Sequence, residues 1–457
     1  MLSAVKYRLE PTELQKVLLN KHFGACRKIY NHCLSVSNDF YKIHKDNPII
    51  EQYTNKKGEV KTRDKKSLSR YDLQKLLPVL KDTDMPYLKE IGSLSLQAVL
   101  LNLDNAFKRF FSKTVQSGIP RFKSRHNSNF SFTVPQNTII DIANSKIRIP
   151  KFLEGVKAII HREIMGTLKS STVSKNASGQ YFISILIDDN QEPATVKDIT
   201  FDSTIGIDLG IKDFAICSNK VTFKNSKFLK NSLPKLRRYA RKHSKKVKHA
   251  KKEPLIDSLG NFIFTKKTKQ IKTRIIRSNN LEKSKLKLAK IHKKVANQRQ
   301  DFTHQVSAKI ANDNQISCVC VETLKVKNMI KNRKLSRAIA DVGWSGFITK
   351  LDYKLQKLGK TLVKIDSFFP SSKQCLFCNI KNTSLTLKDR VFNCIDINCD
   401  NNFNIDRDFH ASLNIKIQGL ETLYKNTVGT TGIQACGADV RPSLTWLLAL
   451  KQEALAL

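Results

Sequence analysis

The stretch Ile205-Gly-Ile-Asp-Leu-Gly210 encloses one acidic residue, Asp208, in an apolar segment flanked by glycines. Its pattern predicts a buried strand, and residues 211–217 predict the hairpin partner of that strand. A second apolar run, Ile316-Ser-Cys-Val-Cys-Val-Glu322, ends in the carboxylate of Glu322. A buried strand that finishes in a carboxylate needs a cation for that charge, because an unpaired buried ion is very costly.

A third acid, Asp408, opens the amphipathic pattern Phe409-His-Ala-Ser-Leu-Asn-Ile415, where a helix N-terminus would hold it in place. Taken singly, the three acids also fit a strand turn, an exposed strand end and a helix cap. Taken together, Asp208, Glu322 and Asp408 indicate a site where hard carboxylate oxygens bind Mg²⁺ or Mn²⁺. Two such ions about 4 Å apart promote phosphodiester hydrolysis, which is the predicted reaction.

The charge of the chain points to nucleic acid as a partner. Its 457 residues include 81 Lys and Arg against 39 Asp and Glu, a formal net charge of +42. A surplus of this size repels itself unless a polyanion neutralises it. Membrane-surface binding is the alternative, but it usually uses one short basic stretch. No run approaches the roughly 20 apolar residues that cross a bilayer, and residues 1–10 are too polar for a signal peptide, so we expect a soluble intracellular protein.

The pattern along the chain changes several times. Helical spacing after Pro11, and again from about Ser95 to Lys113, predicts a helical domain. Between Gly118 and Asp188, short strands separated by turn residues predict a small β-barrel or sandwich. After Leu423 no periodic pattern survives until the apolar residues 446–450, and we predict a mobile tail.

Residues 220–300 hold 27 Lys and Arg but only 3 acidic residues, a net charge of +24. Their apolar rhythm predicts half of a long helical hairpin with its tip near Leu259-Gly-Asn261. A charge run is usually a solvated face, but one this dense favours contact with phosphates and salt-sensitive binding. Basic residues here and in the two preceding regions are the candidate nucleic-acid contacts. They are Lys16, Arg27, Arg121, Lys123, Arg125, Arg237, Arg238, Arg241 and Arg299.

Four of the ten cysteines form a cluster in the sequence. Cys375 and Cys378 are separated by two residues, and a 15-residue loop leads to Cys394 and Cys399, which are separated by four. This spacing predicts a zinc ribbon with four thiolate ligands. The ion would be structural, because four thiolates leave no open coordination position.

At these residues the sequence resembles the TnpB family of transposon-encoded RNA-guided nucleases, relatives of compact type V CRISPR effectors and of Fanzor proteins. Short matches in the family's order span nearly the whole chain. They are Lys6 to Pro11, His22 to Arg27 with Tyr30-Asn31, Ser93 to Phe111, Pro120 to Ser124, Gly206 to Gly210, Asn297 to Phe302, Val321 to Leu324, the four cysteines, Asp406 to Asp408 and Thr427 to Gly432.

The resemblance implies an α/β multidomain protein with an RNase H-like (RuvC) nuclease domain, an inserted zinc ribbon, an N-terminal helical recognition lobe and a β-barrel wedge domain. The implied segments are a first wedge strand at 1–10, a helical recognition domain with a helix-turn-helix-like start at 11–117, the wedge domain at 118–198, the RuvC-like domain at 199–370 with a basic helical insertion at 220–300, the zinc ribbon at 371–402, a RuvC-like C-terminal segment at 403–422 and a mobile tail at 423–457.

The resemblance also implies the activity. Asp208, Glu322 and Asp408 match the metal-binding acids of an RNA-guided DNA endonuclease of a transposable element. Its partners would be a guide RNA from the transposon end and target double-stranded DNA, with base pairing supplying specificity. The implied protein is a cytoplasmic, nucleoid-associated monomer of a prokaryote, bound to RNA and not to a membrane.

Two other functions stay open. The family usually has Asn two positions after its last catalytic Asp, and this chain has His410, which either keeps a polar contact near the metal or weakens the site. A weak site would leave an RNA-guided DNA-binding repressor. The third possibility is a transposase or accessory protein that joins DNA ends. The intact acids argue against the repressor, and the order Asp, Glu, Asp argues against a cut-and-paste transposase.

Overall fold

A computed structural model of the protein describes residues 2–54, 59–112, 114, 117–125, 130–192, 194–256, 260–264, 270–271, 273–276, 278–386, 388–399 and 405–428. By their contacts, the residues divide into two compact units, Met1–Glu192 and Pro193–Leu457.

The first unit combines an antiparallel sheet with helices. Its strands are β1 (Leu2–Leu9), β2 (Ile49–Thr54), β3 (Val60–Lys65), β4 (Phe130–Val134), β5 (Ile139–Asp141), β6 (Lys146–Ile149), β7 (Phe152–Ile159), β8 (Thr167–Lys175) and β9 (Tyr181–Asp188). Its helices are α1 (Glu13–His44), α2 (Arg70–Asp82) and α3 (Ser93–Phe111), with a 3-10 helix at Pro86–Glu90. Strands β2 and β3 form a separate hairpin.

The main sheet of this unit has the linear order β4-β8-β9-β1-β7-β6-β5, so the first strand of the chain lies in its middle. In β1, Val5, Tyr7 and Leu9 are buried and alternate with exposed residues, because successive side chains of a strand point to opposite faces. These residues share one core with α1 and α3. The sheet matches the predicted strand region, and its closure into a barrel stays a prediction.

Helix α1 runs without interruption over 32 residues. It begins with a capping box, in which the Thr12 side chain accepts from the Gln15 backbone and the Gln15 side chain accepts from the Thr12 backbone. Gly24 lies inside the helix, where a side-chain carbon would meet nothing within 4 Å. The helical pattern predicted after Pro11 is therefore one continuous helix, and the helix-turn-helix-like character of this start stays a prediction.

The second unit is built around a five-stranded sheet. The strands of the whole unit are β10 (Thr204–Asp208), β11 (Asp213–Cys217), β12 (Thr222–Lys224), β13 (Lys252–Pro254), β14 (Thr273–Ile275), β15 (Cys318–Glu322), β16 (Thr361–Ile365), β17 (Val391–Phe392) and β18 (Ile405–Asp406). Strands β13 and β14, and strands β17 and β18, form two separate pairs. Its helices are α4 (Phe228–Lys248), α5 (Asn279–Ala311), α6 (Val326–Met329), α7 (Ser336–Val342), α8 (Trp344–Lys357) and α9 (Arg407–Val428).

The five strands follow the order β12-β11-β10-β15-β16. Strands β10, β15 and β16 are parallel, whereas β10 and β11 form the predicted antiparallel hairpin. Helix α9 lies directly on β10 and β15. At Gly206 an added side-chain carbon would come within 2.0 Å of the Ser412 carbonyl oxygen, and at Gly419 within 2.2 Å of the Cys320 sulfur. Only glycine permits this close approach of helix to sheet.

The basic segment contains the predicted pair of helices, α4 and α5, and one buried acid contacts both of them. Asp341, at the end of α7, accepts hydrogen bonds from the backbone of Leu229 at the start of α4 (3.1 and 2.9 Å). It also pairs with Arg299 of α5, at 2.9 Å. The carboxylate therefore caps one helix of the pair and holds the other.

Two helix ends differ from the expected boundaries. Helix α5 continues to Ala311, past the expected end of the insertion at 300, because Val306 and Ile310 of its last turns are buried. Helix α9 continues to Val428, past the expected start of the tail at 423. The remainder of that tail, 429–457, lies outside the described residues. None of the helices in the described part of the chain is long and apolar enough to span a membrane.

The contact at Gly206 yields a stability prediction. Gly206→Ala should lower the free energy of unfolding of the second unit by about 3 kcal/mol or more, because the new methyl group collides with helix backbone. Urea unfolding followed by the fluorescence of the buried Trp344, in a Trp446→Phe background, measures this change. The matched control is Gly346→Ala in α8, where a side-chain carbon meets only the Lys350 ammonium at 3.7 Å. Equal unfolding midpoints for both variants would contradict the prediction.

Candidate active site and zinc cluster

Two of the predicted acids lie side by side at one edge of the five-stranded sheet. Asp208 is the last residue of β10, and Glu322 is the last residue of β15. The parallel register pairs Ile207 with Val321, so the two acids that follow occupy neighbouring strand ends. The carboxyl ends of parallel strands meet at the same edge, which explains how residues 114 positions apart become neighbours.

The third acid reaches the same edge on α9. Asp408 lies in the first turn of that helix, and the backbone amides of Asp408 and Phe409 each donate to the Asp406 carboxylate at 3.0 Å. This cap fixes where the helix begins. Since the helix lies on β10 four residues later, at Ser412, its first turn is held beside the end of that strand.

The electrostatics of Asp208 reflect both its burial and the nearby charges of the other two acids. The pKa of Asp208 is raised to about 7, first by burial and then by the negative charges of Glu322 and Asp408, while Arg407 opposes the shift. Burial also raises the pKa of Glu322, against a hydrogen bond from Ser371. Like charges in a partly dry site favour protons or cations. The edge therefore has the electrostatic character of a cation site.

Three residues that the sequence did not reveal contact these acids. The Ser371 hydroxyl donates to the Glu322 carboxylate. Arg407 and Arg390 approach the two oxygens of Asp408, at 3.3 and 3.7 Å. Arg407 adjoins Asp408 in sequence, a signal that was available. Arg390 and Ser371 carried none, because only the folded zinc-ribbon segment brings them to the acids.

His410 lies away from the acids. Two residues along an α-helix correspond to a rotation of about 200°, so His410 and Asp408 project from different sides of α9. The His410 ring is fully buried and stacks on Phe392 of β17, with ring centroids 3.9 Å apart. Burial lowers its pKa to about 4, which keeps the ring neutral. The residue therefore packs the helix against the zinc-ribbon segment.

The four predicted cysteines come together with the geometry of a metal site. Their sulfur atoms all lie within 4.8 Å of one another, including Cys375 to Cys399 at 3.7 Å and Cys378 to Cys394 at 3.4 Å. A tetrahedral zinc ion with bonds of about 2.3 Å needs sulfur atoms about 3.8 Å apart. The donor set fits Zn²⁺ closely.

The two knuckles also supply hydrogen bonds to sulfur. The backbone amide of Phe377 donates to the Cys375 sulfur at 3.5 Å, and that of Asp396 donates to the Cys394 sulfur at 3.4 Å. Such donors stabilise thiolates. The looser second knuckle, with its four intervening residues, thus orients a backbone amide in the same way as the tighter first one.

No second group of this kind occurs in the described residues: among their Cys, His, Asp and Glu side chains, only the four cysteines gather three or more ligand atoms closely enough. The acids at the sheet edge are therefore neighbours but are not drawn into a compact ligand set.

The candidate nucleic-acid contacts on α4 share one exposed surface. Arg237 and Arg241 are one helical turn apart and, with Arg238, line a shallow groove of about 440 Å³ together with Lys242 and Lys245. All are exposed. The surface is suited to phosphate, and contact with nucleic acid stays a prediction.

The candidates of the first unit are less uniform. Arg121 and Arg125 are exposed, whereas Arg27 is half-buried. The ammonium of Lys123 lies 3.9 Å above the Tyr30 ring, and Lys16 forms an ion pair with its helix neighbour Glu13. Their contact with nucleic acid stays a prediction.

Arg299 differs from the other candidates because the fold already uses its charge. Its guanidinium pairs with the buried Asp341, and its side chain is largely covered. A role in holding the helical pair is therefore established by the contacts, while phosphate contact by this residue stays a prediction.

Comparison with known proteins identifies the family. Three family profiles match: "Helix-turn-helix domain" over residues 1–46, "Probable transposase" over 260–333 and "Cas12f1-like, TNB domain" over 344–415. A "Putative RNA-guided DNA endonuclease" of Streptomyces pristinaespiralis is 29% identical, with 98% of this chain and 96% of the relative covered. A "Putative RNA-guided DNA endonuclease InsQ" of Escherichia coli K12 is 26% identical, with 86% of this chain and 87% of the relative covered.

A solved chain from a Cas12f1-sgRNA-target DNA complex is also similar, with a TM-score of 0.47 and 14% identity over 91% of this chain and 98% of that chain. The matching profiles and the full-length relatives agree with the motifs in the sequence. The chain belongs to the TnpB family of transposon-encoded proteins.

The cysteine cluster predicts a bound metal. The purified protein should contain about one zinc ion per chain, and Cys394→Ser should lower that content to near zero after dialysis, as measured by atomic emission. Burial raises the pKa of the Cys394 thiol to about 12, so zinc must displace protons and should be lost more readily in acid. Cys217→Ala, at a buried cysteine outside the cluster, is the control. Zinc retained by the Cys394 variant would refute the assignment.

The raised pKa of Asp208 predicts that this residue lowers the free energy of unfolding as the pH rises. Between about pH 4 and pH 7 the folded protein keeps a proton that the unfolded chain releases, so stability falls as pH rises through this range. Without added divalent ions, Asp208→Asn should therefore have a free energy of unfolding higher than that of the natural protein at pH 8, by on the order of 2–4 kcal/mol, and should unfold at a higher temperature. The gap should close toward pH 4.

Thermal unfolding at several pH values measures this gap. The control is Asp202→Asn, an exposed acid just before β10, which should leave the unfolding temperature unchanged. A lower unfolding temperature for Asp208→Asn at pH 8 would show that the carboxylate is stabilised where it lies.

Proposed function

We propose that this chain is an RNA-guided DNA endonuclease of a transposable element, and that Asp208, Glu322 and Asp408 form its active site. The relatives that align over nearly the full chain carry the name of that activity. The observation that supports the residue assignment is that three acids from remote segments lie at one sheet edge, where burial, and then the charges of Glu322 and Asp408, raise the pKa of Asp208 to about 7.

The proposed cofactors of this edge are Mg²⁺ or Mn²⁺. Two such ions, when bound, would supply activation of water and stabilisation of the leaving oxygen in phosphodiester hydrolysis. Asp208 and Asp408 would be the main ligands, and Glu322 would complete the site and orient the attacking water. The donor set fits, because these ions prefer hard carboxylate oxygens and because Asp208 is buried beside two further acids, an environment that a cation would stabilise.

Neighbouring residues would keep the acids in position. The Ser371 hydroxyl restrains one carboxylate oxygen of Glu322. Arg407 also donates to the Thr386 carbonyl at 3.0 Å, so its guanidinium is fixed while it contacts Asp408. The cysteine cluster would hold structural zinc and so preserve the segment that supplies Ser371.

The domain assignment follows the same proposal. The second unit would be the RNase H-like RuvC domain, an assignment supported by a sheet in which an antiparallel hairpin precedes parallel strands ending in acids. The sheet of the first unit would be the wedge domain, and α1 to α3 the recognition domain. The segment 371–402 would be the zinc ribbon.

Guide RNA and target DNA would be the partners of the basic surfaces. The exposed arginines of α4 would lie along RNA or the RNA–DNA duplex and contact its backbone, because the bases are occupied in pairing. We place the protein in the prokaryotic cytoplasm at the nucleoid, as a monomer bound to its RNA.

The decisive test is cleavage by the reconstituted complex. Purified with the RNA of its own transposon end, the protein should cut matched DNA in Mg²⁺. Asp208→Ala should lower the cleavage rate by at least a thousandfold, the scale of an essential active-site group, and should leave target binding nearly unchanged. Gel-based cleavage and filter binding on the same preparations measure the two quantities.

Asp202→Ala is the matched control, because this acid belongs to the same unit but is exposed. Equal cleavage by Asp208→Ala would remove the assigned site. Tight, guide-dependent binding without cleavage by the natural protein, in both Mg²⁺ and Mn²⁺, would instead indicate a repressor.

A further inference from the structure

A groove of about 510 Å³ opens beside Glu322. Its lining includes two lysines and three hydroxyl side chains, which are Lys373, Lys381, Ser371, Ser372 and Thr383. Apart from Glu322 itself, the polar side chains that line it are cationic or neutral, so the groove attracts anions. Phosphate is the anion that would bring a substrate of the proposed nuclease to this carboxylate.

An exposed aromatic residue stands at the same edge. Phe368 follows β16 by three residues and immediately precedes Phe369, which lines the groove. Phe368 is 80% exposed, although exposing the apolar surface of a phenyl ring to water is unfavourable. A ring in this position is a candidate contact for a planar, apolar ligand.

The Phe368 ring is held in place rather than loose. The Asp366 carboxylate accepts a hydrogen bond from the Phe368 backbone amide at 2.6 Å, which fixes the turn after β16. The ammonium of Lys325, a residue that follows β15, lies 4.1 Å from the ring centroid. Strands β15 and β16 pair Glu322 with Ile365, so this aromatic-cation pair belongs to the edge that carries the acid.

We propose that Phe368 and the groove beside Glu322 bind single-stranded DNA next to the position of cleavage, with one unpaired base stacked on the Phe368 ring. The lysines and hydroxyls would contact the phosphates on either side. An aromatic platform beside a cationic groove is the general means of binding single strands without sequence preference. A base in a duplex is already stacked on both faces, so the platform selects an unpaired strand.

The proposal rests on the proposed nuclease function and adds to it a binding site for the strand that is cut. It also explains why a costly exposed ring accompanies a cationic groove at this edge. If the ring instead served to cover another protein segment, its loss would not depend on any particular base of the substrate.

The experiment pairs variants of Phe368 with substrates that lack single bases. Each target carries one abasic nucleotide at a different position around the cut, and cleavage rates are measured for the natural protein and for Phe368→Ala. We expect Phe368→Ala to cut intact DNA about tenfold more slowly, the usual effect of losing one stacking contact. One abasic position should slow the natural protein by a similar factor and should not slow Phe368→Ala further.

Conservative variants separate stacking from bulk. Phe368→Trp should restore the rate, whereas Phe368→Leu should behave as Phe368→Ala, because leucine keeps apolar volume without a ring face. Ile397→Ala is the control, since Ile397 is an apolar residue of the zinc-ribbon segment that is 93% exposed. Zinc content and unfolding temperature should match the natural protein in every Phe368 variant, because an exposed ring adds little to packing.

The outcomes are distinguishable from failure of the proposed function. Full cleavage by Asp208→Ala would overturn the nuclease site itself. If Asp208→Ala is inactive but Phe368→Ala cuts normally, or if its defect is equal for every abasic position, the stacking site is overturned and the nuclease stands. A Phe368→Leu variant with the natural rate would likewise overturn it.

Discussion

The close approach of α9 to β10 governs the chemistry of this protein. Carboxylates of like charge repel one another, so they stay together only where the backbone leaves no alternative. Here the backbone of α9 at Ser412 lies so near Gly206 that no side chain fits between them. The first turn of the helix, with Asp408, is therefore set against the strand end that carries Asp208. The same packing buries Asp208 beside the other acids, and burial together with their charges raises its pKa.

The zinc-ribbon segment contacts two of the three acids. Before the first knuckle, Ser371 contacts Glu322; before β17, Arg390 contacts Asp408. Asn414 of α9 donates to the carbonyls of Ser371 and Gln374, at 2.7 and 2.8 Å, which ties the entry to the knuckle to the same helix. Hydrogen bonds and an ion pair therefore connect the segment that carries the four cysteines to two of the three acids and to α9.

The sequence predicted those residues of this site that are unusual for their local surroundings. A lone acid in an apolar strand is expensive, so Asp208 and Glu322 stood out, and the hairpin partner of β10 followed from its apolar pattern. Cysteine spacing likewise predicted the cluster that the structure assembles. These signals depend only on neighbouring residues, so they can be recognised in a single sequence.

What the sequence could not supply depends on distant contacts. Nothing around Arg390 or Ser371 distinguishes them from other surface residues until the chain folds. Arg299 resembled its basic neighbours, yet a buried partner 42 positions away uses its charge. The length of α1 was also out of reach, because buried residues on both sides of Gly24, such as Phe23, Cys26 and Ile29, support the helix across the glycine.

The position of β1 sets the order in which the first unit is completed during synthesis. Residues 2–9 are synthesised before the strands they pair with, which are β9, where Leu2 faces Asp188, and β7, where Arg8 faces Ile159. At about 5–20 residues per second, roughly 10–40 s of translation separate this strand from its last partner. Until then the apolar face of Val5, Tyr7 and Leu9 has no sheet to join, which makes the nascent chain a natural client for chaperones.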